Sequence, residues 1–338
     1  MSSVTCIVSK LLQVMYCKYC NVYCKLSDYK KKIIGNTQEE CQRGLVTLIN
    51  LLHYLGFNVS WRKVISPTQR ITFLIIGLDS STMSLRLPED KLNRLIDLVN
   101  TFSHKASASK RQLQSLAGSL NFACQVVHGG RTFFRHVIDC INKLNLSSHR
   151  CRLSTDFRAD VSWWKEFLVP FNGRCMMLDF RQPVYIQTDA SFHGFGAVSP
   201  DDWFAGSWAS SPENDIYSQS LPSHWCDVGH AIDPSLRCNI NYLELFLVLI
   251  AACRWGASWA NKLICMETDN TQAVAFVNKG SCKNPIAMSW LRELFWLSVR
   301  HHFHIRARHL AGINNVSVDR LSRLIQSQTL SNDIFSPL

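Results

Sequence analysis

Residues 186–198 read "IQTDASFHGFGAV" and place a carboxylate, Asp189, at the end of an apolar strand and just before a glycine-containing bend. The residues of "VYIQTDA" alternate between two faces, which is the period of a β-strand with one buried face. Gly194 and Gly196 allow the chain to bend back into a second strand. Two interpretations of Asp189 follow: a functional group at a strand end, or a surface aspartate in a turn.

The sequence that follows predicts a mixed order of strands and helices. "FAGSWAS" is typical of a third strand, "NYLELFLVLIAACRWGASWA" of a helix and "KLICMETD" of a fourth strand. Two more helices are predicted by "TQAVAFVNKG" and by "NPIAMSWLRELFWLSVRH", in which Asn284 is the cap and Pro285 lies in the first turn. "FHIRARH" predicts the last strand and "VSVDRLSRLI" the last helix. The predicted fold class is therefore α/β.

The composition indicates a globular protein of two domains with a polyanionic partner. The 338 residues exceed one ordinary core, and 47% of them are hydrophobic against 18% charged. A formal charge of +11 favours nucleic acid or an anionic membrane surface as the partner. The longest apolar run, "LFLVLIAAC" at 245–253, is too short to span a bilayer and predicts a buried helix. The 14 cysteines show no disulfide framework and no cleavable signal precedes them, so we expect reduced thiols in an intracellular protein, either cytoplasmic or nuclear.

Four carboxylates fall at strand ends or on helices of the predicted second domain: Asp189, Glu244, Asp269 and Asp319. Acidic oxygen ligands from separate elements suit two hard divalent cations that share a phosphate. Each acid also has a structural alternative. Glu244 follows Asn241 by three residues and would complete a capping box, whereas Asp319 would pair with Arg323 one turn later. The two remaining aspartates would simply begin loops.

The words "TDASFHGFGA", "INYLEL", "TDNTQAVAFVNKG" and "HLAGINNVSVDRLSR" resemble the ribonuclease H domain of DIRS-like and Gypsy-like retroelement polyproteins. The resemblance covers residues 182–326 and leaves a tail at 327–338. It implies a ribonuclease H-like mixed five-stranded sheet with helices, and hydrolysis of the RNA strand of an RNA–DNA hybrid. It also implies two Mg²⁺ ions, or Mn²⁺ as a substitute, held by the four acids, and no small-molecule cofactor.

The same resemblance assigns roles to residues around the acids. His309 and Asn315 match the family's loop histidine and asparagine, and the histidine would assist water entry or product departure by exchanging protons near neutral pH. Asn270, Asn315, Arg306 and Arg308 are predicted to bind the substrate, the two arginines from the outward face of "FHIRARH". The predicted catalytic set is the four acids together with His309.

Residues 38–150 resemble the palm end and thumb of the same elements' reverse transcriptase, and residues 151–181 resemble its connection. The words that carry this likeness are "EECQRGLVTLINLLHYLGFNVSWRK", "LRLPEDKLNRLIDLVNTF" and "RQLQSLAGSLNFACQVV". The segment is predicted to be mainly helical, with a short hairpin in "RITFLIIGLDSS", where Ile75 stands at the family's glycine position. No fold is predicted for residues 1–37.

The polymerase motif of these reverse transcriptases is missing from the chain. The resembling enzymes need an Asp-Asp pair shortly before "IIGNTQEEC", where this sequence has Tyr29 and Lys30. The pair Asp201–Asp202 falls in the second domain and predicts a solvated turn. We therefore expect an N-terminally truncated reverse transcriptase without DNA polymerase activity.

One alternative function is a nucleic-acid-binding fragment whose ribonuclease H-like domain is silent in chemistry. Integrases of the same fold need the order Asp, Asp, Glu, whereas the order here is Asp, Glu, Asp, Asp. Exonucleases of the DEDD class need Glu two residues after the first Asp, and that position is Ser191. Residues 199–240 make the stretch between the first two acids long. Within them "PENDIYSQSLPSHWCDVGHAIDPSLRC" predicts either an inserted loop, which chain entropy tolerates, or a retained non-coding segment.

Overall fold

The computed structural model describes residues 19–26, 29–173, 175–176, 182–208 and 234–323. The chain divides into two compact units, Met1–Asp179 and Phe180–Leu338. The inserted loop predicted within 199–240 lies largely outside the described residues, and the predicted tail at 327–338 lies wholly outside them.

Five α-helices occur in the described part of the first unit. They are α1 (Gln38–Tyr54), α2 (Glu89–His104), α3 (Lys110–Ala123), α4 (Arg135–Asn142) and α5 (Thr155–Phe171). Helix α1 begins after Thr37, whose side chain accepts a hydrogen bond from the Glu40 N–H. Helix α3 begins with a capping box formed by Ser109 and Gln112. The helices predicted between residues 38 and 147 are confirmed.

Seven of the nine described strands of the first unit have only two to four residues. The nine described strands are β1 (Tyr19–Leu26), β2 (Tyr29–Gly35), β3 (Ile65–Thr68), β4 (Arg70–Phe73), β5 (Ile76–Asp79), β6 (Ser84–Arg86), β7 (Ser107–Ser109), β8 (Arg150–Arg152) and β9 (Cys175–Met176). Their orders are β2-β1-β3, β4-β5-β6-β9 and β7-β8. Strands of two to four residues are too short to show a period of two, so the sequence pattern underestimates the β content of this unit.

The β4–β5 hairpin turns at two residues that are not glycine. Phe73 pairs with Ile76, so Leu74 and Ile75 form a two-residue turn. Both residues have positive φ angles, 48° and 71° respectively, which such turns normally assign to Gly or Asn. The predicted hairpin therefore forms, with Ile75 in a backbone conformation that β-branched residues rarely adopt.

The Ile75→Gly variant is expected to melt about 2–4 °C higher than the unmodified chain. Glycine removes the cost of the left-handed backbone conformation, about 1–2 kcal/mol. Part of this gain is offset because glycine loses more backbone entropy on folding. Because Ile75 is 47% exposed, little burial is lost. Ile76→Gly is the matched control and should melt lower, since Ile76 is only 3% exposed. Thermal denaturation followed by circular dichroism measures both variants, and a lower melting temperature for Ile75→Gly would contradict the strained turn.

The second unit is built on one five-stranded sheet. Its described strands are β10 (Pro183–Ala190), β11 (Gly194–Val198), β12 (Trp203–Ser207), β13 (Leu263–Thr268) and β14 (His304–His309). Its described α-helices are α6 (Pro234–Arg237), α7 (Ile240–Trp255), α8 (Thr271–Lys279), α9 (Pro285–Arg300) and α10 (Val316–Ser322).

The strand order is β12-β11-β10-β13-β14, antiparallel from β12 to β10 and parallel from β10 to β14. Parallel neighbours need crossover connections, which α7 supplies before β13 and the pair α8–α9 supplies before β14. This mixed sheet with its helices is a ribonuclease H-like fold, so the predicted fold class is confirmed.

Helix α7 lies at the centre of the hydrophobic core. Every residue from Leu243 to Ala252 is buried, and the helix packs against β10 and α9. By length and composition Ile240–Trp259 is apolar enough to cross a membrane, yet 67% of that window is buried inside the protein. The buried helix predicted from "LFLVLIAAC" is confirmed.

Helix α10 packs on the other face of the sheet. Val318 and Leu321 form a small apolar cluster with Ala205, whereas the adjacent Phe204 belongs to the main core around α7. Successive strand residues point to opposite faces, so the two helices cover opposite sides. The approach is close: a Cβ placed on Gly196 would lie 2.4 Å from the Leu321 Cβ. Glycine at this position is therefore a packing requirement.

Asp202 has partners that the sequence did not predict. Its Oδ2 accepts hydrogen bonds from Arg254 Nη2 and Trp255 Nε1, each at 2.8 Å. The turn predicted for Asp201–Asp202 forms, and the Asp202 side chain is 42% exposed while its carboxylate joins this turn to the end of α7. Asp201 is exposed as expected.

Candidate metal centre

Three carboxylates meet at one edge of the ribonuclease H-like sheet. Asp189 is the penultimate residue of β10, Asp269 directly follows β13, and Glu244 lies on α7. Because β10 and β13 are parallel neighbours, their carboxyl ends lie at the same edge. The ligand oxygens of the three acids all lie within 4.8 Å of one another. They line a cleft of about 460 Å³.

Glu244 is held in place by both of its carboxylate oxygens. The Ala190 N–H donates to Oε1 at 2.9 Å, and the Thr268 hydroxyl donates to Oε2 at 3.0 Å. The N-cap of α7 is Asn239, so the capping box proposed between Asn241 and Glu244 is wrong. Glu244 instead connects the ends of β10 and β13, where the other two acids lie.

Burial and mutual repulsion raise the pKa values of two of these acids. Desolvation, together with repulsion from Asp189 and Asp269, raises the pKa of Glu244 to about 8 against the hydrogen bond from Ala190. Desolvation also raises the pKa of Asp189 to about 6, helped by repulsion from Asp269 and Asp319 and opposed by a hydrogen bond from Ser322. The site therefore concentrates more negative charge than its surroundings stabilise.

A metal-free chain is expected to lose stability as the pH rises. The folded-state pKa of Glu244, about 8, lies above its ordinary 4.5, so folding favours the protonated acid. That contribution is complete below the ordinary pKa and disappears as the pH passes the folded-state value. In EDTA, the melting temperature of the second unit should therefore fall between about pH 5 and about pH 8 and level off above that. Glu244→Gln should flatten this slope, and a melting temperature that rises over the same range would contradict the buried, protonated glutamate.

The three acids fit a hard divalent cation. Carboxylate oxygens are the ligands that Mg²⁺ and Mn²⁺ prefer, and a cation relieves the repulsion described above. Among the described residues, Asp189, Glu244 and Asp269 form the one group of three or more His, Cys, Asp or Glu side chains whose ligand atoms lie this close together.

Asp319 lies on α10 and lines the same cleft. Its Oδ1 accepts Arg323 Nε at 2.8 Å and Nη2 at 2.7 Å, which is the ion pair expected as its structural alternative. The structure does not place Asp319 within the close group of three carboxylates. Its role as a fourth metal ligand stays a prediction.

His309 and Asn315 flank the connection between β14 and α10. His309 is exposed and pairs in the parallel ladder with Thr268, the residue before Asp269. Asn315 is 1% exposed and its Nδ2 donates to the Thr188 carbonyl at 3.3 Å. The structure therefore brings His309 to the strand edge that carries Asp269 and uses Asn315 to join α10 to β10.

The remaining predicted substrate-binding residues differ in whether their polar atoms already have partners within the protein. Asn270 caps α8 with its Oδ1 and donates through Nδ2 to Asn241 Oδ1 at 2.9 Å. Arg308 pairs with Glu267 and lies over the Tyr185 ring, 4.4 Å from its centroid. Arg306 is exposed on the same strand. Their contact with substrate stays a prediction.

Sequence reasoning missed Thr268 and Ser322, which hydrogen-bond to the acids. Thr268 is the residue before Asp269, and its hydroxyl reaches Glu244 because the strand end and α7 adjoin. Ser322 donates to Asp189 Oδ2 at 2.5 Å. It follows Asp319 by three residues, and that helical spacing, which puts both on one face, was the available signal.

Solved structures similar to the chain are foamy viral protease-reverse transcriptases. They are a complex with RNA/DNA hybrid (13% identity, TM-score 0.41), a complex with dsDNA (14%, 0.40) and the dRH form with ds DNA (14%, 0.39). Each match covers 90% of this chain, which spans 37%, 57% and 48% of those chains respectively. No protein-family model matches the chain, and neither does any curated protein. The ribonuclease H-like assignment therefore rests on the order and direction of the five strands.

Proposed function

We propose that the chain is a retroelement-derived ribonuclease H-like endonuclease that hydrolyses the RNA strand of RNA–DNA hybrids with two Mg²⁺ ions. The observation that supports this most strongly is the meeting of Asp189, Glu244 and Asp269 at the carboxyl ends of two parallel strands. The sequence words around these acids support a DIRS-like or Gypsy-like origin. An intracellular location is part of the same proposal.

The proposal gives the side chains of the site two roles, metal binding and proton transfer. Asp189, Glu244 and Asp269 would hold a divalent cation, and Asp319 would contribute to the second from the same cleft. When bound, such ions activate water and stabilise the leaving oxygen of a phosphodiester. His309, exposed beside the Asp269 strand end, would move protons between the site and solvent near neutral pH.

The proposed partner is nucleic acid. The formal charge of +11 supplies affinity for phosphates through counterion release, which does not depend on base sequence. Arg306 projects from the exposed edge strand β14 and would contribute to this affinity. Arg308 and Asn270 would position the substrate through the parts of their side chains that the protein leaves accessible, whereas Asn315 is 1% exposed and would reach the substrate only after a local rearrangement.

The experiment incubates the full chain with an RNA–DNA hybrid labelled on one strand at a time. We expect the RNA strand to be cut with Mg²⁺ or Mn²⁺, the DNA strand to stay whole, and EDTA to stop the reaction. An all-DNA duplex of the same sequence is the control and should remain intact. A folded chain that binds the hybrid but cuts neither strand with any divalent ion would overturn the nuclease. It would then favour the silent binding fragment.

A further inference from the structure

We propose that Ser322 is a positioning residue that fixes the carboxylate of Asp189 for metal binding. The inference rests on the proposed metal site and adds a residue outside the four acids. Ser322 Oγ donates to Asp189 Oδ2 at 2.5 Å, and the two residues are 1% and 7% exposed. Among the described residues, Ser322 is the one that donates a hydrogen bond to the Asp189 carboxylate. A buried acid with one such partner depends on it for its orientation.

The backbone of Ser322 is itself held by the β10–β11 connection. Ser191 Oγ donates to the Ser322 carbonyl at 3.0 Å. A Cβ on Gly194 would come within 2.9 Å of that carbonyl oxygen, and a Cβ on Gly196 within 3.1 Å of the Ser322 nitrogen. The end of α10 therefore rests directly on strand backbone, which keeps Ser322 beside Asp189.

A carboxylate has enough lone pairs to accept this hydrogen bond and to coordinate a cation at the same time. Partners of metal ligands in other proteins act in this way: they orient the ligand, and their removal lowers metal affinity about 10–100-fold. Ser322 also belongs to the helix that carries Asp319, so the same contact sets the position of that helix against β10. One hydroxyl thus couples two of the predicted ligands.

A purely structural role is the alternative. Ser322 Oγ also lies 3.0 Å from the Asp319 carbonyl, a local contact within its own helix. The hydroxyl has one proton and donates to one acceptor at a time. If the carbonyl is the relevant acceptor, removing the hydroxyl changes helix stability and leaves the metal affinity unchanged.

The test measures Mn²⁺ affinity by electron paramagnetic resonance, and the melting temperature in EDTA, for Ser322→Ala and Ser322→Cys. We expect Ser322→Ala to weaken Mn²⁺ binding about 10-fold or more while the metal-free chain still melts cooperatively. Ser322→Cys should be intermediate, because a thiol is a weaker donor than a hydroxyl.

Ser298→Ala is the control, since Ser298 is buried and donates to Phe295 O within its own helix. It should leave Mn²⁺ affinity unchanged. If Ser322→Ala binds Mn²⁺ as tightly as the unmodified chain, the positioning role is wrong and the metal site stands. If the unmodified chain binds no Mn²⁺, the proposed metal site fails and the positioning role fails with it.

Discussion

RNA-strand cleavage by the Asp269→Asn variant is expected to be at least about 10³-fold slower than by the unmodified chain, because several kcal/mol of charge stabilisation depends on the metal. Asparagine keeps the shape of the side chain and removes one negative charge from the group of three. Asp269 is the exposed member of that group and follows β13, so the strand pairing should survive the change. The loss is therefore expected in catalysis and in metal affinity, with the fold retained.

Binding of the hybrid by Asp269→Asn should change little. Affinity for phosphates comes from the basic surface and falls steeply with salt, with a slope set by the number of phosphate contacts. Both chains should show the same slope in a filter-binding or anisotropy titration. Asp201→Asn, which alters an exposed acid of the same unit, is the matched control and should cut normally. Cleavage by Asp269→Asn at the unmodified rate would show that Asp269 is not a ligand.

Gly196→Ala is expected to destabilise the second unit by about 2 kcal/mol, although alanine normally suits a strand better than glycine. The added Cβ would lie 2.4 Å from the Leu321 Cβ and 3.1 Å from the Val318 carbonyl oxygen, so α10 must move away from β11. That movement would displace Asp319 and Ser322 from the cleft. Cleavage should therefore fall together with the melting temperature.

Gly118→Ala provides the matched control for this prediction. Gly118 lies within α3, and a Cβ there meets nothing within 4 Å. Gly118→Ala should stabilise the first unit by about 1 kcal/mol, because alanine has a higher helix propensity than glycine. Thermal denaturation should show a lower melting temperature for Gly196→Ala and a higher one for Gly118→Ala. A melting temperature that rises for Gly196→Ala would contradict the close packing of α10 on the sheet.

The sequence predicted the second unit well because its elements are long and strongly patterned. Strands such as β10 show alternation, and the helices carry caps and glycine stops that depend only on local chemistry. The meeting of Asp189 and Asp269 follows from two adjacent parallel strands, once the topology is known. Glu244 needed the structure, because its capping alternative was equally consistent with spacing and only the contacts to Ala190 and Thr268 decide against it.

Two other features had only a weak signal in the sequence. The positive φ angle of Ile75 follows from the two-residue register of the β4–β5 hairpin, and no residue type in "FLIIG" indicates it. The hydrogen bond from Ser322 to Asp189 joins residues 133 positions apart, and it depends on how closely α10 approaches β11. Contacts of this kind are set by packing distance, which residue patterns do not encode.

Calorimetry of Mg²⁺ binding at about pH 7, repeated in buffers of different ionisation enthalpy, tests the three-carboxylate metal site most directly. The pKa of Glu244 is about 8 in the metal-free chain, so the acid is mostly protonated there and must lose its proton to bind a cation. We predict release of about one proton per chain on binding, and its loss in Glu244→Gln. Binding without proton release would contradict the raised pKa of Glu244, and Mg²⁺ affinity unchanged by Glu244→Gln would contradict the metal centre formed by Asp189, Glu244 and Asp269.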